Sequence, residues 1–137
     1  MYTSTIGNFG KPIEFRDGDK VYQIRYLDQR AKQEYEQWIR SNARQLLFEM
    51  KDSISGEEWA KEFSEYKTNC TTGKYGFHEE LCQESLQTKE GMLTLACILF
   101  QADRDELLNL MIRRGEEIRL LLDEIKEESS ARGSEKN

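Results

Sequence analysis

Thr88-Lys89-Glu90-Gly91-Met92-Leu93-Thr94-Leu95-Ala96-Cys97-Ile98-Leu99-Phe100 is the stretch whose reading decides the fold. Thr88 is a residue type that caps helices, because its hydroxyl can accept from a free N–H of the first turn. From Met92 to Phe100 the side chains are apolar on every side of a helix, and such a helix belongs in the interior. The run is far shorter than the ~20 apolar residues that span a bilayer. It is therefore expected to be the central buried helix, with every other element packed around it.

On its C-terminal side, Asp103 or Asp105 opens a helix carrying Leu107, Leu108, Leu110, Met111 and Ile112. Gly115 follows Arg113 and Arg114, where a C-cap is expected. Glu116 to Glu128 reads as a last amphipathic helix with Ile118, Leu121, Leu122 and Ile125 on its apolar side. Residues 129–137 contain no apolar residue except Ala131, which predicts a disordered tail.

On the N-terminal side, a helix is expected to restart near Phe77, with Leu81, Cys82 and Leu86 inward. Thr71 to Gly76 is a loop with two glycines. Before it, Ser55 and Glu58 have the spacing of a capping box. Trp59, Phe63 and Tyr66 follow as an aromatic stripe, predicting a helix from Gly56 to about Asn69. Asp28 is placed to cap a longer helix reaching about Met50, whose stripe is Ala31, Tyr35, Trp38, Ile39, Leu46, Leu47 and Met50. Ile13 to Tyr26 reads as a β-hairpin turning at Asp17-Gly18. That turn sets Ile13 opposite Tyr22 and Phe15 opposite Lys20, and collects Ile13, Phe15, Tyr22, Ile24 and Tyr26 on one face. A lone hairpin is marginal in water, so this face must pack on something. The sequence thus predicts a mainly α fold, an N-terminal β-hairpin followed by a bundle of about five to six helices. The divisions are a flexible arm (1–11), a single helical domain (12–128) and a disordered tail (129–137).

Composition narrows the function. The chain has 137 residues, 34% of them charged, yet 37% are hydrophobic, enough to build a core. Pro12 is the single proline, so nearly all of the chain is free to be helical. A net charge of −6 argues against a dedicated nucleic-acid binder, which needs a basic face. The chain opens without a basic segment and a following apolar stretch, so no secretory signal is expected and Cys70, Cys82 and Cys97 should be reduced. The three cysteines make no Cys-x-x-Cys pair. His78 and Cys82 share one helix face, but a closed metal site needs two more ligands, and none has suitable spacing.

Gly73-Lys74 is no Walker A loop: Thr68 stands where the earlier glycine belongs and Tyr75 where Ser or Thr belongs. A helix–helix turn needing positive φ explains Gly73. Glu57, Glu58, Glu62 and Glu65 crowd one helix, as a solvated face does. With one histidine and no nucleophile elbow, no catalytic, cofactor or metal site is expected, and the chain does not read as an enzyme.

The amphipathic C-terminal pair either closes the core or offers a groove to another helix. The groove reading assigns partner binding to Leu107, Leu110, Met111, Ile118, Leu121, Leu122 and Ile125.

Three segments resemble the tail assembly chaperones of long-tailed bacteriophages and prophages. The first is Ile13-Glu14-Phe15 and Lys20-Val21-Tyr22 running into Leu27-Asp28-Gln29-Arg30-Ala31 and Tyr35-Glu36-Gln37-Trp38-Ile39. The second is Gly73-Lys74-Tyr75-Gly76-Phe77. The third is Leu86-Gln87-Thr88-Lys89-Glu90-Gly91 with the apolar helix and the acidic start at Asp103. Similar sequences carry Trp at the position of Phe77 and a proline before the last helices. The resemblance implies a non-enzymatic role in virion morphogenesis: holding the helical tape-measure protein soluble in the cytoplasm of the bacterial host until tube protein polymerises around it. The partner is then a tape-measure or other tail protein, with a homo-oligomer as a further expectation, and with neither a membrane nor nucleic acid involved. Two alternatives stay open: a structural head–tail or tail protein kept in the virion, and a small regulatory protein that binds a host partner or nucleic acid.

Overall fold

A computed structural model describes residues 13–136, with side chains as far as Ser129. The arm expected over 1–11 lies outside the described residues. The elements are β1 (Ile13–Asp17), β2 (Lys20–Ile24), α1 (Gln29–Met50), α2 (Gly56–Thr71), α3 (Glu80–Ser85), α4 (Lys89–Phe100) and α5 (Arg104–Lys136). The fold is mainly α with an N-terminal hairpin, as predicted. None of the described helices is long and apolar enough to cross a membrane.

Helix starts follow the expected caps. Asp28 accepts from the Ala31 N–H at 2.9 Å, Ser55 from Glu58 at 3.1 Å, and Thr88 from Gly91 at 3.0 Å. Each such cap satisfies one orphan donor and contributes about 1 kcal/mol. Asp103 caps α5 through the Glu106 N–H at 2.8 Å. α4 is the centre: Leu93, Leu95, Ala96, Leu99 and Phe100 are buried, and it contacts α1, α3, α5 and β2. It closes at Gln101, which adopts the left-handed region (φ 56°, ψ 46°). A glycine would take that conformation more easily, but the Gln101 side chain donates to the Gln23 carbonyl at 3.2 Å. Beside it, the Arg25 N–H donates to the Leu99 carbonyl at 2.9 Å, so β2 is tied to the end of α4.

The hairpin turns one residue later than the sequence predicts. Asp17 pairs with Lys20, Phe15 with Tyr22 and Ile13 with Ile24, leaving Gly18 and Asp19 as the loop. Only Gly18 has positive φ (62°), the pattern of a type II′ turn, in which glycine takes the first central position. The pairing slips by two residues, so every side chain keeps its face. Ile13, Phe15, Tyr22 and Ile24 are buried, and Phe15 and Tyr22 meet Phe100 with ring centroids 5.4 and 5.5 Å apart.

Two further expectations are corrected. Gly115 does not cap a helix. α5 bends at Arg114 (φ −136°, ψ 36°) and continues. At that bend Arg114 turns onto the hairpin: its Cζ lies 4.5 Å from the Phe15 ring centroid, and it bonds Glu117 and the Arg16 carbonyl. Arg113 grips the Asp17 carboxylate twice, at 3.0 and 2.9 Å. The bounds of α5 reach Lys136, into the segment 129–137 for which the sequence predicts a tail. Leu81, expected inward, is exposed, while Cys82 and Leu86 beside it are buried.

Candidate functional site

The residues assigned to a partner groove on the C-terminal helices lie in the core. Leu107, Leu110, Ile118, Leu121, Leu122 and Ile125 are all buried, and Met111 is partly buried against the same cluster. They close the core on α4. An amphipathic pattern fixes which side of a helix is apolar, and here the apolar helix next in sequence covers that side.

Apolar surface is left uncovered on the outer side of α5, at Leu108, Ile112 and Leu120, and on the arm made by α1 and α2. α2 has no buried residue, and α1 is the only described element it contacts. Among the described residues, the last turns of α1 and all of α2 therefore form a two-helix arm without a third helix to complete it. Trp59 joins the pair by donating its indole N–H to the Leu47 carbonyl at 2.7 Å, which satisfies one of the free acceptors at the end of α1. Tyr66 donates to the Arg40 carbonyl at 3.3 Å and packs on Tyr75. Gly73, with φ 74°, makes the turn that leads away from α2. Two such helices can bury only the residues between them, and two different faces remain.

One face is aliphatic. Leu46 and Met50 are 50% and 38% exposed. They border a shallow cleft of about 210 Å³ lined by Ala43, Leu47, Tyr66 and Tyr75, with Glu62 and Glu65 on its rim. That volume falls short of the ~300 Å³ at which small-molecule pockets begin. A cleft of this shape takes side chains of a partner helix instead.

The other face is aromatic and cationic. Trp59 and Phe63 stack with centroids 5.1 Å apart and planes 8° from parallel, and Phe48 tilts against both. Arg44 lies 5.6 Å from the Phe48 centroid, Lys51 5.2 Å from Trp59 and Lys67 5.3 Å from Phe63. None of the three cations has a carboxylate within ion-pair distance among the described residues. Elsewhere Lys20 pairs with Glu106, Arg25 with Glu34 at 2.8 Å, and Arg104 with Glu90.

The sequence pointed at Trp59, Phe63 and Tyr66 as a stripe but gave no sign that it faces outward. The exposed neighbours Leu46 and Phe48 carry the one available signal: together with Leu47 they leave hardly any side of the last turns of α1 polar.

His78 and Cys82 do not converge. The His78 Nε2 lies 3.3 Å from the Lys32 ammonium, whereas Cys82 is fully buried and its thiol is pushed up to about 12 by burial. Among the described residues no group of three His, Cys, Asp or Glu is placed to hold a metal ion. Glu57, Glu58, Glu62 and Glu65 are all exposed, as a solvated helix face is.

Comparison with protein-family models, with curated proteins and with solved structures finds no match for this chain.

Proposed function

We propose that this protein is a non-enzymatic assembly factor that binds an apolar stripe of a helical protein partner in the aliphatic cleft of the α1–α2 arm. The observation that carries this reading is the incomplete arm, whose Leu46 and Met50 stand half-exposed over Leu47 and Tyr66. Methionine and leucine suit reversible capture, because the flexible thioether adapts to different side chains. A net charge of −6 keeps such a complex apart from its neighbours. The resemblance to tail assembly chaperones supplies the partner: a phage or prophage tape-measure protein, held soluble in the bacterial cytoplasm before the tail tube forms. The arm takes over the role that the sequence reading gave to the C-terminal helices.

Co-expression with the tape-measure protein encoded in the same genome tests it, read by size-exclusion chromatography and mass determination. A soluble complex is expected, and Leu46→Asp with Met50→Asp abolishes it while circular dichroism stays unchanged. A tape-measure protein that stays insoluble beside the wild-type chain refutes the proposed function. If the chain is instead retained in purified virions, the structural alternative takes its place.

A further inference from the structure

The aromatic–cationic face of the arm is a separate surface from the cleft, and its occupant can be read from the rest of the molecule. Phe48, Trp59 and Phe63 form a continuous patch among Arg44, Lys51 and Lys67, none of which has a carboxylate within ion-pair distance among the described residues. A partner that fits must bring exposed aliphatic groups and acids at helical spacing. One surface of this chain has that pattern. On the outer side of α5, Ile112 is 77% exposed, and Leu108 and Leu120 are about half-exposed. Leu108, Ile112, Glu116 and Leu120 follow one another in steps of four, so they run along one side of the helix across the bend. Asp105 and Glu127, both exposed, extend the row at its two ends, and neither has an ion pair among the described residues. No contact joins α2 to α5 within the described residues, so one copy leaves both surfaces uncovered.

We propose that a second copy of this chain covers the aromatic–cationic face, seating the outer stripe of its α5 on Phe48, Trp59 and Phe63. Charge selects this pairing. The whole chain carries −6, so two copies repel at long range, and only a contact that brings cations to acids locally offsets that repulsion. Within the stripe Glu116 already pairs with Arg119 at 2.7 Å, so the unpaired acids are Asp105 and Glu127; stripe on stripe would add these acids to each other, and arm on arm would add cation to cation. The contact joins unlike surfaces, so a two-fold pair carries it twice and buries both patches of both copies. Aromatic rings flanked by cations are the side chains that dominate binding at such interfaces.

The test is the mass of the isolated full chain by sedimentation at about 100 µM, where a contact of micromolar Kd is populated. The wild type is expected to exceed the 16.2 kDa of one chain. Lys51→Glu with Lys67→Glu, and separately Glu116→Lys with Glu127→Lys, should each weaken association by about 100-fold or more, because each sets like charges face to face. All four positions are exposed, so circular dichroism should be unchanged. Mixing the two variants should restore the assembly, because each supplies the surface that complements the other. A wild type that stays monomeric overturns the proposal, and so does an assembly that survives either variant or a mixture that stays monomeric. A monomer that instead shifts a single-stranded oligonucleotide assigns the face to nucleic acid and overturns it equally. Leu46→Asp with Met50→Asp should leave self-association intact, so failure here and failure of the proposed function are distinguishable.

Discussion

Gly91 lies where α4 crosses the end of α3, and replacing it tests the packing of the whole centre. A Cβ built there would stand 1.9 Å from the Ser85 carbonyl oxygen and 2.6 Å from the Tyr35 hydroxyl. Real Cβ contacts essentially never fall below 3.0 Å, so Gly91→Ala must push α4 and the Ser85 backbone apart by about an ångström. The Tyr35 hydroxyl cannot step aside freely, because it bonds the Ser85 hydroxyl at 2.6 Å and Tyr35 is fully buried. Overpacking of this kind costs about 1–3 kcal/mol. Losing the Tyr35–Ser85 bond adds about 1 kcal/mol. Alanine returns about 1 kcal/mol by its better helix propensity. The net expectation is a loss of about 1–3 kcal/mol, which at a urea slope of about 2 kcal/mol/M lowers the unfolding midpoint by about 0.5–1.5 M. Gly115→Ala is the control. It sits in α5 with nothing within 4 Å of the added Cβ and no positive φ, so the same substitution should stabilise by up to about 1 kcal/mol. Urea unfolding followed by circular dichroism measures both. If Gly91→Ala gains stability as Gly115→Ala does, the close approach of α4 to Ser85 is wrong.

Acid should weaken the junction between hairpin and α5. Hydrogen bonds from Arg113 hold the Asp17 carboxyl below its ordinary 3.8, and Lys20 and Tyr22 hold Glu106 below its ordinary 4.5. The unfolded chain therefore binds protons first, so this stability is present above pH ~4 and is lost as pH falls through the lower folded values. The urea midpoint should drop more steeply for the wild type than for Asp17→Asn between pH ~5 and pH ~3, and equal slopes would remove Asp17 from the account. Hydrogen exchange should separate arm from body: amides of α2, which has no buried residue, should exchange well before those of α4, and matching protection would show that the arm opens only with the whole domain.

Much of the fold was legible because its signals are local. Asp28, Ser55 and Thr88 cap helices through bonds that span three residues, and α4 is apolar on all sides whatever lies around it. The hairpin face was legible for a different reason: a slip of two residues leaves alternation intact, so Ile13 and Phe15 point inward under either turn. What stayed illegible was the choice of cover. The stripes of α5 and α2 look alike in the sequence, yet Leu110 and Leu121 of α5 are fully buried while α2 has no buried residue. That difference is set by which helices meet in space, which periodicity does not encode. The break near Gly115 was legible to within one residue of the bend at Arg114; what was hidden is that Arg114 and Arg113 turn there onto Phe15 and Asp17, nearly a hundred positions earlier.

That same separation bears on synthesis. Arg113 and Asp17 lie 96 positions apart. At roughly 10 residues per second, the ribosome needs about ten seconds to make the chain between them. The hairpin is finished at the start of that interval and has neither Phe100 nor Arg114 to rest on until its end. For those seconds the nascent chain shows Ile13, Phe15, Tyr22 and Ile24 to solvent or to whatever else is there. A transcript truncated anywhere before α4 would leave that state permanent, so premature termination yields a sticky fragment instead of a smaller folded domain.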